Sequence, residues 1–563
     1  MNWIGGIFSK GNVTQGELSR KMALMMQTAC PAHKPATTSS PRYASLTINE
    51  VHGQALVKVS GIAEGVPTQS AHTDGPGRLA LMYDGRLHDC RGTSSRRSRA
   101  RPRPSMAVTE SFIRLITELP GNLEQKVRGA LIGLDGDYGL AVTDAGHGVI
   151  SRDPLGTKPL YLAENSGFSA FASNKKPLWT IGLDEVRPLR AGMLAAFDRK
   201  GVKIGEGSPL QEKEITVTTM ARAVNRYQRA LESAVEKRLP RTGHVARVGI
   251  LLSGGVDSCL IAKLVRDAAT ALGIETIAYT AGLRNSPDVQ FARYFAKELD
   301  IKHRTKVLNA GDVERYIPEV IDAIEDSDFV QVETGIGLYA AADMARQDGI
   351  AALFSGQGPD ELWGGYNWYP SVLAKDGRRE LCRRMWEDLT RADIETLDRE
   401  NKIALAHDVE LLFPYLDINV VNVALSVVSE LKVTSAEDHL GKHPQRRLAM
   451  KLGVSERFAN REKLAIQHGT GIHGILDGIA RRNGFDPALV RDIGYESQEI
   501  TSERLGSSSR YGYRYIAKEL WQVPQHVQFF FHALAYRQGL LDKSVRDRVE
   551  YFLEKAHLIR PTD

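Results

Sequence analysis

The residues most able to do chemistry in this chain form the hexapeptide SGGVDS at positions 253–258. It follows an apolar run at 245–252 and precedes a helical pattern at 259–272, which predicts a loop between a buried strand and a helix. Glycines in such a loop let backbone N–H groups and the positive end of the helix surround an anion. Asp257 is placed to hold a divalent cation beside that anion. The pattern therefore indicates a site for nucleotide phosphates.

Two common nucleotide signatures are missing from this loop. It does not end in Gly-Lys-Ser/Thr, as the phosphate loop of phosphoryl-transfer enzymes does, and no GxGxxG accompanies it, as in dinucleotide sites. SGGVDS instead resembles the PP-loop of ATP pyrophosphatases, which attack the α-phosphate of ATP, make an acyl- or imino-adenylate and release pyrophosphate. The alternative is a glycine-rich turn that binds no ligand.

A second glycine-rich segment, FSGQGPDELWGGY, occupies positions 354–366. A predicted strand ends at Ser355, and Asp360 follows it closely. Two carboxylates at the ends of two strands, Asp257 and Asp360, suit Mg²⁺ better than zinc, which prefers His or Cys ligands. We therefore expect Mg²⁺ to bind between these side chains and the phosphates.

The elements that must position these loops divide the chain into two predicted domains, 1–209 and 221–563, joined by a polar linker at 211–220. Short β-type runs between turn residues predict that the first is a layered α+β domain built on antiparallel sheets, with one clear helix. In the second, helices alternate with short buried strands, which predicts an α/β, doubly wound parallel sheet with its ligand crevice at the carboxyl ends of the strands. Beyond residue 376 a mostly helical extension is predicted.

The pattern also predicts the bounds of individual elements. The predicted strands are 55–59, 79–83, 139–143, 148–151, 169–172, 245–252, 275–281, 303–307 and 350–355. The predicted helices are 108–119, 221–238, 258–272, 287–299, 313–324 and 337–347.

Composition limits the classes of partner. A net charge of +5 is small for 563 residues, so we do not expect nucleic acid as a partner. The four cysteines form no CxxC pair, which disfavours a zinc knuckle or a disulfide framework and indicates a reducing cytoplasm: Cys30, Cys90, Cys259 and Cys382. Neither a charged leader with a long apolar segment nor a membrane-spanning stretch is seen, so we expect neither secretion nor membrane insertion.

One basic stretch, residues 91–104, interleaves arginines with Ser and Pro and has no apolar periodicity. Its arginines are Arg91, Arg96, Arg97, Arg99, Arg101 and Arg103. This composition favours a solvated, disordered loop over an arm that binds RNA or a partner.

With these residues in view, the chain resembles the glutamine-dependent asparagine synthetase family over nearly its whole length. In the carboxy-terminal half the motifs that appear in family order are SGGVDS at 253–258, SPD at 286–288, SGQGPDELWGGY at 355–366, HDVELLFPYLD at 407–417 and REK at 461–463. In the amino-terminal half, YDGR at 83–86 and SRDPLGTKPLY at 151–161 look like the amidotransferase domain of the same family. The resemblance implies an Ntn-hydrolase-like fold for the first domain and a PP-loop fold for the second.

The resemblance also implies an activity and a set of site residues. The enzyme would bind ATP and Mg²⁺, activate a carboxylate as acyl-AMP, release pyrophosphate and let ammonia or another amine attack. The residues implied for ATP are Leu252, Ser253, Gly254, Gly255, Asp257, Ser258, Ala281, Ser355, Gly356 and Lys442, and those implied for the metal are Asp257 and Asp360. The residues implied for catalysis are Lys463, Glu410 and Gln357, with Lys463 the better candidate for stabilising charge as the adenylate forms. A homodimer is also expected.

Two residues of the second half depart from the family pattern. The family usually has Glu where this chain has Gln357, and the resemblance implies that this carboxylate helps to deprotonate the incoming ammonia or to orient intermediates. Glutamine can donate and accept hydrogen bonds but cannot accept that proton at neutral pH. Leu412 stands where bacterial members usually carry Arg. Both departures affect the choice of substrate more than the adenylation step.

The first half departs more strongly. Glutamine hydrolysis in the family needs a cysteine at residue two, whose own amine acts as base, and here residue two is Asn2. The family's Asn-Gly-Glu, which cradles glutamine, reads Asp84-Gly85-Arg86, and the Arg-Gly-Pro-Asp segment upstream is not present. We therefore predict a degenerate glutaminase half.

The default product is asparagine, made from aspartate and free ammonia. The main alternative is a relative that uses another amine, of the β-lactam synthetase or lasso-peptide cyclase type. A nucleotide-binding regulator without catalytic activity is the second alternative, although the retention of Asp257, Asp360 and Lys463 argues against it.

Overall fold

The computed structural model describes residues 2–10, 14–29, 43–51, 54–61, 72–73, 79–90, 105–144, 147–240, 246–496 and 523–559. The arginine-rich stretch 91–104 and Cys30 lie outside the described residues, so the predictions made for them stay predictions. Among the described helices, none combines the length and the apolar character needed to cross a membrane.

The amino-terminal part is built on two antiparallel sheets. Its strands are β1 (Asn2–Ser9), β2 (Tyr43–Val51), β3 (Gln54–Gly61), β4 (His72–Thr73), β5 (Ala80–Cys90), β6 (Leu134–Thr143), β7 (Gly148–Arg152), β8 (Tyr161–Glu164), β9 (Phe168–Ala172), β10 (Arg187–Pro188), β11 (Met193–Asp198) and β12 (Gly201–Glu206). The strand orders are β10-β8-β9-β1-β3-β2 and β12-β11-β7-β6-β5-β4. Phe8 from one sheet and Phe197 from the other lie with ring centroids 4.7 Å apart in a shared buried cluster. The predicted layered α+β architecture is confirmed.

The helices of this part are α1 (Gln15–Ala29), α2 (Ser105–Glu118), α3 (Leu123–Leu131) and α4 (Lys176–Thr180). The prediction of a single clear helix is therefore wrong. Helix α3 begins with a capping box, in which the side chains of Asn122 and Gln125 each accept from the other's backbone N–H. Helix α1 buries Leu18, Met22 and Met25 beneath β1, so tertiary packing stabilises a segment whose own apolar periodicity is weak.

The carboxy-terminal part holds one parallel sheet. Its strands are β13 (Arg247–Leu251), β14 (Glu275–Leu283), β15 (Lys302–Leu308), β16 (Ala352–Phe354) and β17 (Glu410–Leu412), in the order β15-β14-β13-β16-β17. The direction of strand addition reverses between β13 and β16, and a doubly wound sheet opens its ligand crevice at that point. The doubly wound fold is confirmed, but β17 lies in a region predicted to be mostly helical, because a strand of three residues leaves no periodic pattern.

Helices surround this sheet and continue beyond it. They are α5 (Met220–Arg238), α6 (Val256–Thr270), α7 (Pro287–Glu298), α8 (Ala310–Ile324), α9 (Phe329–Gln347), α10 (Pro359–Trp363), α11 (Tyr369–Ala392), α12 (Asp398–Ala406), α13 (Ile418–Leu425), α14 (His443–Lys451), α15 (Glu456–Ala459), α16 (Ile466–Gly469), α17 (His473–Arg482), α18 (Pro487–Ile493), α19 (Gln525–Arg537) and α20 (Lys543–Lys555). Helix α9 starts eight residues before the predicted 337, because Asp328 caps it by accepting from the N–H groups of Val330 and Gln331. The domain limits at 209 and 221 stay a prediction.

Candidate active site

The SGGVDS loop connects β13 to α6 at the carboxyl end of the sheet. Gly254 has a φ of +75°, and a Cβ there would lie 2.5 Å from the Cβ of Phe291, so only glycine fits this turn. The hydroxyl of Ser258 donates to the carbonyl of Gly255 at 3.1 Å and accepts from the N–H of Ser253 at 3.2 Å. The loop is thus held in a fixed shape around the amino end of α6, where backbone N–H groups favour an anion.

The second glycine-rich segment packs directly on this loop. A Cβ on Gly356 would lie 3.2 Å from the backbone nitrogen of Ser258 and 3.3 Å from the carbonyl carbon of Asp257. The phenol of Tyr415 donates to the carbonyl oxygen of Asp257 at 2.9 Å. Ser355 is buried and its N–H donates to the carbonyl of Leu412 on β17. The two motifs predicted to share one site therefore lie against each other.

Four charged side chains from four separate segments meet here. The ammonium of Lys442 lies 2.6 Å from Oδ2 of Asp257 and 2.7 Å from Oδ1 of Asp360. The ammonium of Lys463 lies 2.7 Å from Oδ2 of Asp360. The structure therefore brings together both predicted metal carboxylates and both predicted lysines.

The charges in this cluster depend on one another. Burial alone would raise the pKa of the Asp360 carboxyl, but Lys442 and Lys463 hold it well below its usual range. Burial likewise opposes the charge on Lys463, yet Asp360 and Asp257 raise the pKa of that lysine above its usual value. The Asp360 carboxylate and the Lys463 ammonium are therefore both charged at neutral pH.

The donor set fits Mg²⁺. A single ammonium group contacts both carboxylates, so one cation placed between Asp257 and Asp360 would reach both, and carboxylate oxygens are the ligands that Mg²⁺ prefers. Within the described ranges, no group of three or more His, Cys, Asp or Glu side chains is arranged to hold a metal. Phosphate oxygens and water would supply the remaining ligands.

Removal of Lys442 tests this fit without any assay of turnover. We expect Lys442→Met to lower the free energy of unfolding by about 3 kcal/mol, because it removes the ammonium group between two partly buried carboxylates and leaves only Lys463 beside Asp360. The variant should also unfold at a lower midpoint temperature, measured by calorimetry. Mg²⁺ at millimolar concentration is expected to reverse most of that decrease. Lys451→Met, at an exposed lysine on α14 that contacts Asn225, is the control. If Mg²⁺ stabilises the two variants equally, Asp257 and Asp360 do not hold the cation.

Two arginines fix the segments that carry the lysines. The guanidinium of Arg446 is buried and donates to four backbone carbonyls, those of Gly441, Leu440, Ala459 and Arg461. Arg461, the first residue of the REK motif, donates to the carbonyl of Ser253 at 2.8 Å and to Asp288 at 2.7 Å. Arg446 was missed from the sequence, because its partners are backbone atoms that no pattern of side chains reveals.

Gln445 is a further residue of the site that the sequence did not indicate. Its amide donates to Oδ1 of Asp257, and its carbonyl accepts from the phenol of Tyr227 at 2.6 Å. Lys442 is the N-cap residue of α14, with a left-handed backbone (φ +53°), and Gln445 lies three residues later in the first helical turn. This short separation from Lys442 was the feature of the sequence that could have indicated Gln445.

Gln357, which replaces the usual glutamate, lies beside a carboxylate from another element. Its amide donates to Oε1 of Glu400 on α12 at 2.5 Å. The hydroxyl of Ser355 donates to Oε2 of the same carboxylate at 3.4 Å. Burial raises the pKa of Glu400 to about 7, although Arg399 and the hydrogen bond from Gln357 oppose that shift. Glu400 was also missed, because it lies 43 residues beyond Gln357 and outside every motif.

The residues predicted to contact adenosine lie at the ends of adjacent strands. Leu252 follows β13 and its N–H donates to the carbonyl of Tyr279 on β14 at 3.0 Å, while Ala281 lies two residues further along β14. Both are buried. Together with Ser355 and Gly356 they stand at the carboxyl edge of three neighbouring strands, β14, β13 and β16.

Glu410 lies outside this cluster. Both oxygens of its carboxylate accept from Arg86 of β5, with the shortest distance 2.7 Å. Burial would raise the pKa of Glu410, but Arg86 and then Lys158 lower it to about 2. A carboxylate held in this way is a poor proton acceptor at neutral pH, and its catalytic role stays a prediction.

The residues predicted to form a degenerate glutamine site lie in the amino-terminal sheets. Asn2 starts β1 opposite Ser60 of β3, and Asp84 is buried on β5. Gly85 has a φ of +103°, and a Cβ there would lie 1.9 Å from the carbonyl oxygen of Asp137. Burial raises the pKa of the Cys90 thiol to about 11, so it is not a thiolate at neutral pH.

Comparison with known proteins relates both halves to described families. The family described as asparagine synthase matches residues 226–376 and 373–530, more than half of the chain, and the glutamine amidotransferase domain matches residues 62–180. A putative glutamine-hydrolysing asparagine synthetase 1 of Methanocaldococcus jannaschii is 31% identical over 406 residues, which cover 64% of this chain and 74% of that protein.

Vertebrate proteins match over shorter stretches. The glutamine-hydrolysing asparagine synthetase of Gallus gallus is 29% identical over 53% of this chain and 57% of its own length, and that of Homo sapiens is 28% identical over 57% and 61%. The solved NMN synthetase of Francisella tularensis superposes with a TM-score of 0.25 at 15% identity over 58% of this chain and 96% of its own.

Proposed function

Since this chain belongs to the asparagine synthetase family and is a carbon–nitrogen ligase of an ATP-using type, we propose that it forms an amide through an acyl-adenylate, with release of AMP and pyrophosphate. The observation that carries the proposal is the cluster in which Lys442 and Lys463 contact Asp257 and Asp360 at the carboxyl end of the parallel sheet. Such a cluster offers both a cation site and positive charge for the phosphates of ATP.

The proposed roles follow from position. The adenosine of ATP would contact the residues at the strand ends, Leu252, Ala281, Ser355 and Gly356, and the phosphates would bind the loop residues Ser253, Gly254, Gly255 and Ser258. Mg²⁺ held by Asp257 and Asp360 would offset the negative charge of the phosphates. Lys442 would then be free to bind a phosphate oxygen.

Lys463 is the proposed catalytic cation. It remains protonated because Asp360 and Asp257 raise its pKa, and about a quarter of its side chain is exposed. A fixed ammonium group at this place stabilises negative charge that develops on the carboxylate and phosphate oxygens.

Glu400 is the proposed proton acceptor. An attacking amine must lose a proton, and Gln357 cannot accept it. The Glu400 carboxylate is bonded to Gln357 and Ser355, and its pKa of about 7 is matched to proton transfer at neutral pH. Gln357 would thus orient the carboxylate of Glu400, which takes the place of the glutamate that the family usually has at position 357.

Asparagine from aspartate and ammonia is the default reaction. A second candidate, a related synthetase or cyclase that uses another amine, is favoured by Leu412, which is buried and apolar where bacterial relatives usually carry Arg. The substrates on either reading are small molecules, and a cytoplasmic location and a homodimer stay predictions.

The nitrogen source provides the test. We expect the purified protein not to hydrolyse glutamine, because Asn2 replaces the cysteine nucleophile and Asp84-Gly85-Arg86 replaces the cradle. Protein would be incubated with ATP, Mg²⁺, aspartate and either glutamine or an ammonium salt, and glutamate, amide and pyrophosphate would be measured in parallel.

Three outcomes are distinguishable. Pyrophosphate and amide formed with ammonium alone support the proposal. Stoichiometric release of glutamate from glutamine contradicts the degenerate-glutaminase prediction. If aspartate supports no product with either nitrogen source, a screen of other carboxylates and amines for pyrophosphate release tests the second candidate.

A further inference from the structure

One segment, residues 410–417, contacts both loops of the candidate active site. Its strand β17 pairs with β16, and the carbonyl of Leu412 accepts from the N–H of Ser355 at 2.9 Å. Five residues after the start of β17, Tyr415 donates to the carbonyl of Asp257 at 2.9 Å. A shift of this segment would therefore move the Ser355 loop and the phosphate loop together.

Each end of the segment is anchored by charged residues. At the start, the guanidinium of Arg86 on β5 binds both oxygens of Glu410, with Nη2 2.7 Å from Oε2. At the end, Asp417 binds Arg238 at 2.9 Å, and Arg238 also binds Asp137 on β6 at 2.6 Å. Lys237 adds a second bridge between Asp417 and β6, through Asp135 at 2.8 Å.

The two anchors are linked to each other. Nη1 of Arg86 donates to the carbonyl of Arg238 at 2.8 Å. Arg238 is buried, and Arg86 and Glu410 keep only about a quarter and a fifth of their side chains exposed. Bidentate contacts of a planar guanidinium hold direction as well as distance, so Arg86 limits rotation of β17.

We propose that the β5–β6 pair of the amino-terminal part positions the ATP site, and that Arg86 is a positioning residue for nucleotide binding. The Asp84-Gly85-Arg86 stretch, which stands where a glutamine cradle is expected, thereby acts on the carboxy-terminal loops through Glu410. The inference rests on the proposed function only in taking the SGGVDS and SGQGPDELWGGY loops as the ATP site.

Other contacts hold the two halves together without Arg86. Tyr161 donates to Asp398 at 2.5 Å, Arg190 contacts Asp393 at 3.0 Å, and the N–H of Lys175 donates to the buried Glu325 at 2.7 Å. Loss of the Arg86 side chain should therefore leave the halves associated and alter the site locally.

The test is the affinity for ATP, measured by titration calorimetry with Mg²⁺ present. We expect Arg86→Met to weaken ATP binding about tenfold, in line with the loss of a charge-assisted hydrogen-bonded pair. Arg86→Lys is expected to recover part of the affinity, because it keeps the charge but not the bidentate geometry. Arg114→Met is the matched control in the same half, since Arg114 and Glu118 are both more than half exposed.

A double variant separates positioning from general destabilisation. Glu410→Gln should weaken ATP binding as Arg86→Met does, and the double variant should be no weaker than the worse single variant, because each single variant already disrupts the Arg86–Glu410 ion pair. Additive losses, or wild-type affinity in Arg86→Met, would overturn the inference. If the wild-type protein binds no ATP, the proposed function is overturned instead. The thermal midpoint of each variant shows whether it is folded. If Arg86→Met does not fold, the comparison of Arg86→Lys with Glu410→Gln decides.

Discussion

Asp360→Asn is expected to lower the rate of pyrophosphate release by at least about a thousandfold, the scale set by loss of a metal ligand together with a charge-stabilising contact. Both oxygens of Asp360 are used, since Oδ1 contacts Lys442 and Oδ2 contacts Lys463. Asparagine has the same shape but no charge, so it cannot neutralise the two lysines or hold the cation. The measurement is continuous pyrophosphate release at saturating ATP and Mg²⁺ with the carboxylate and amine that support wild-type turnover.

The control for Asp360→Asn is Asp267→Asn. Asp267 lies on α6, the helix that follows the phosphate loop, where it pairs with Lys263 and is about half exposed. We expect this variant to keep wild-type turnover. Near-normal pyrophosphate release by Asp360→Asn at saturating Mg²⁺ would refute the metal assignment.

Glu400→Gln is expected to separate the two chemical steps. Adenylation, measured as exchange of labelled pyrophosphate into ATP, should remain within a fewfold of wild type, because none of the described hydrogen bonds and ion pairs joins Glu400 to Asp257, Asp360, Lys442 or Lys463. Amide formation should fall by about 100-fold or more, which is the usual contribution of a positioned general base. Loss of both steps to the same extent would show that Glu400 acts on nucleotide binding instead.

The pH dependence of amide formation gives the same residue a second test. Glu400 has a pKa of about 7, so its carboxylate form is present above that pH and is lost as the pH falls through it. The wild-type rate should therefore fall tenfold per pH unit on the acid side, and Glu400→Gln should lack this limb. Arg399 and, without a direct bond, Lys463 act on Glu400 through charges that persist over this range, whereas its hydrogen-bond partners Gln357 and Ser355 are uncharged.

Glu395→Gln is the control for Glu400→Gln. Glu395 lies one helical turn earlier in the chain, pairs with Arg391 at 2.7 Å and is about half exposed. Its carboxylate faces solvent, so the substitution should leave both steps and the acid limb unchanged. An altered acid limb in this variant would show that the titration does not belong to Glu400.

Local pattern was sufficient for much of the fold and for part of the site. Alternation of periodic helices with short apolar runs predicted β13 to β16 and the parallel sheet, because each element carries its own periodicity. Glycine spacing around Asp257 and Asp360 predicted the two loops, since close backbone approach requires glycine at fixed positions. The residue types at these two loops, aspartate and not histidine or cysteine, predicted a Mg²⁺ site instead of a zinc site.

Only the tertiary structure showed the contacts between side chains that lie far apart in the sequence. The contact of Lys442 with two carboxylates requires α14 to pack beside the SGGVDS loop, and the Gln357–Glu400 contact requires α12 to lie under the second loop. The Arg86–Glu410 pair joins residues 324 positions apart. No periodicity encodes such pairs, because their proximity is set by strand order and helix packing. The sequence by itself therefore determined which groups are predicted to hold ATP and Mg²⁺, whereas only the fold identified the carboxylate proposed to accept a proton and the arginine proposed to position the site.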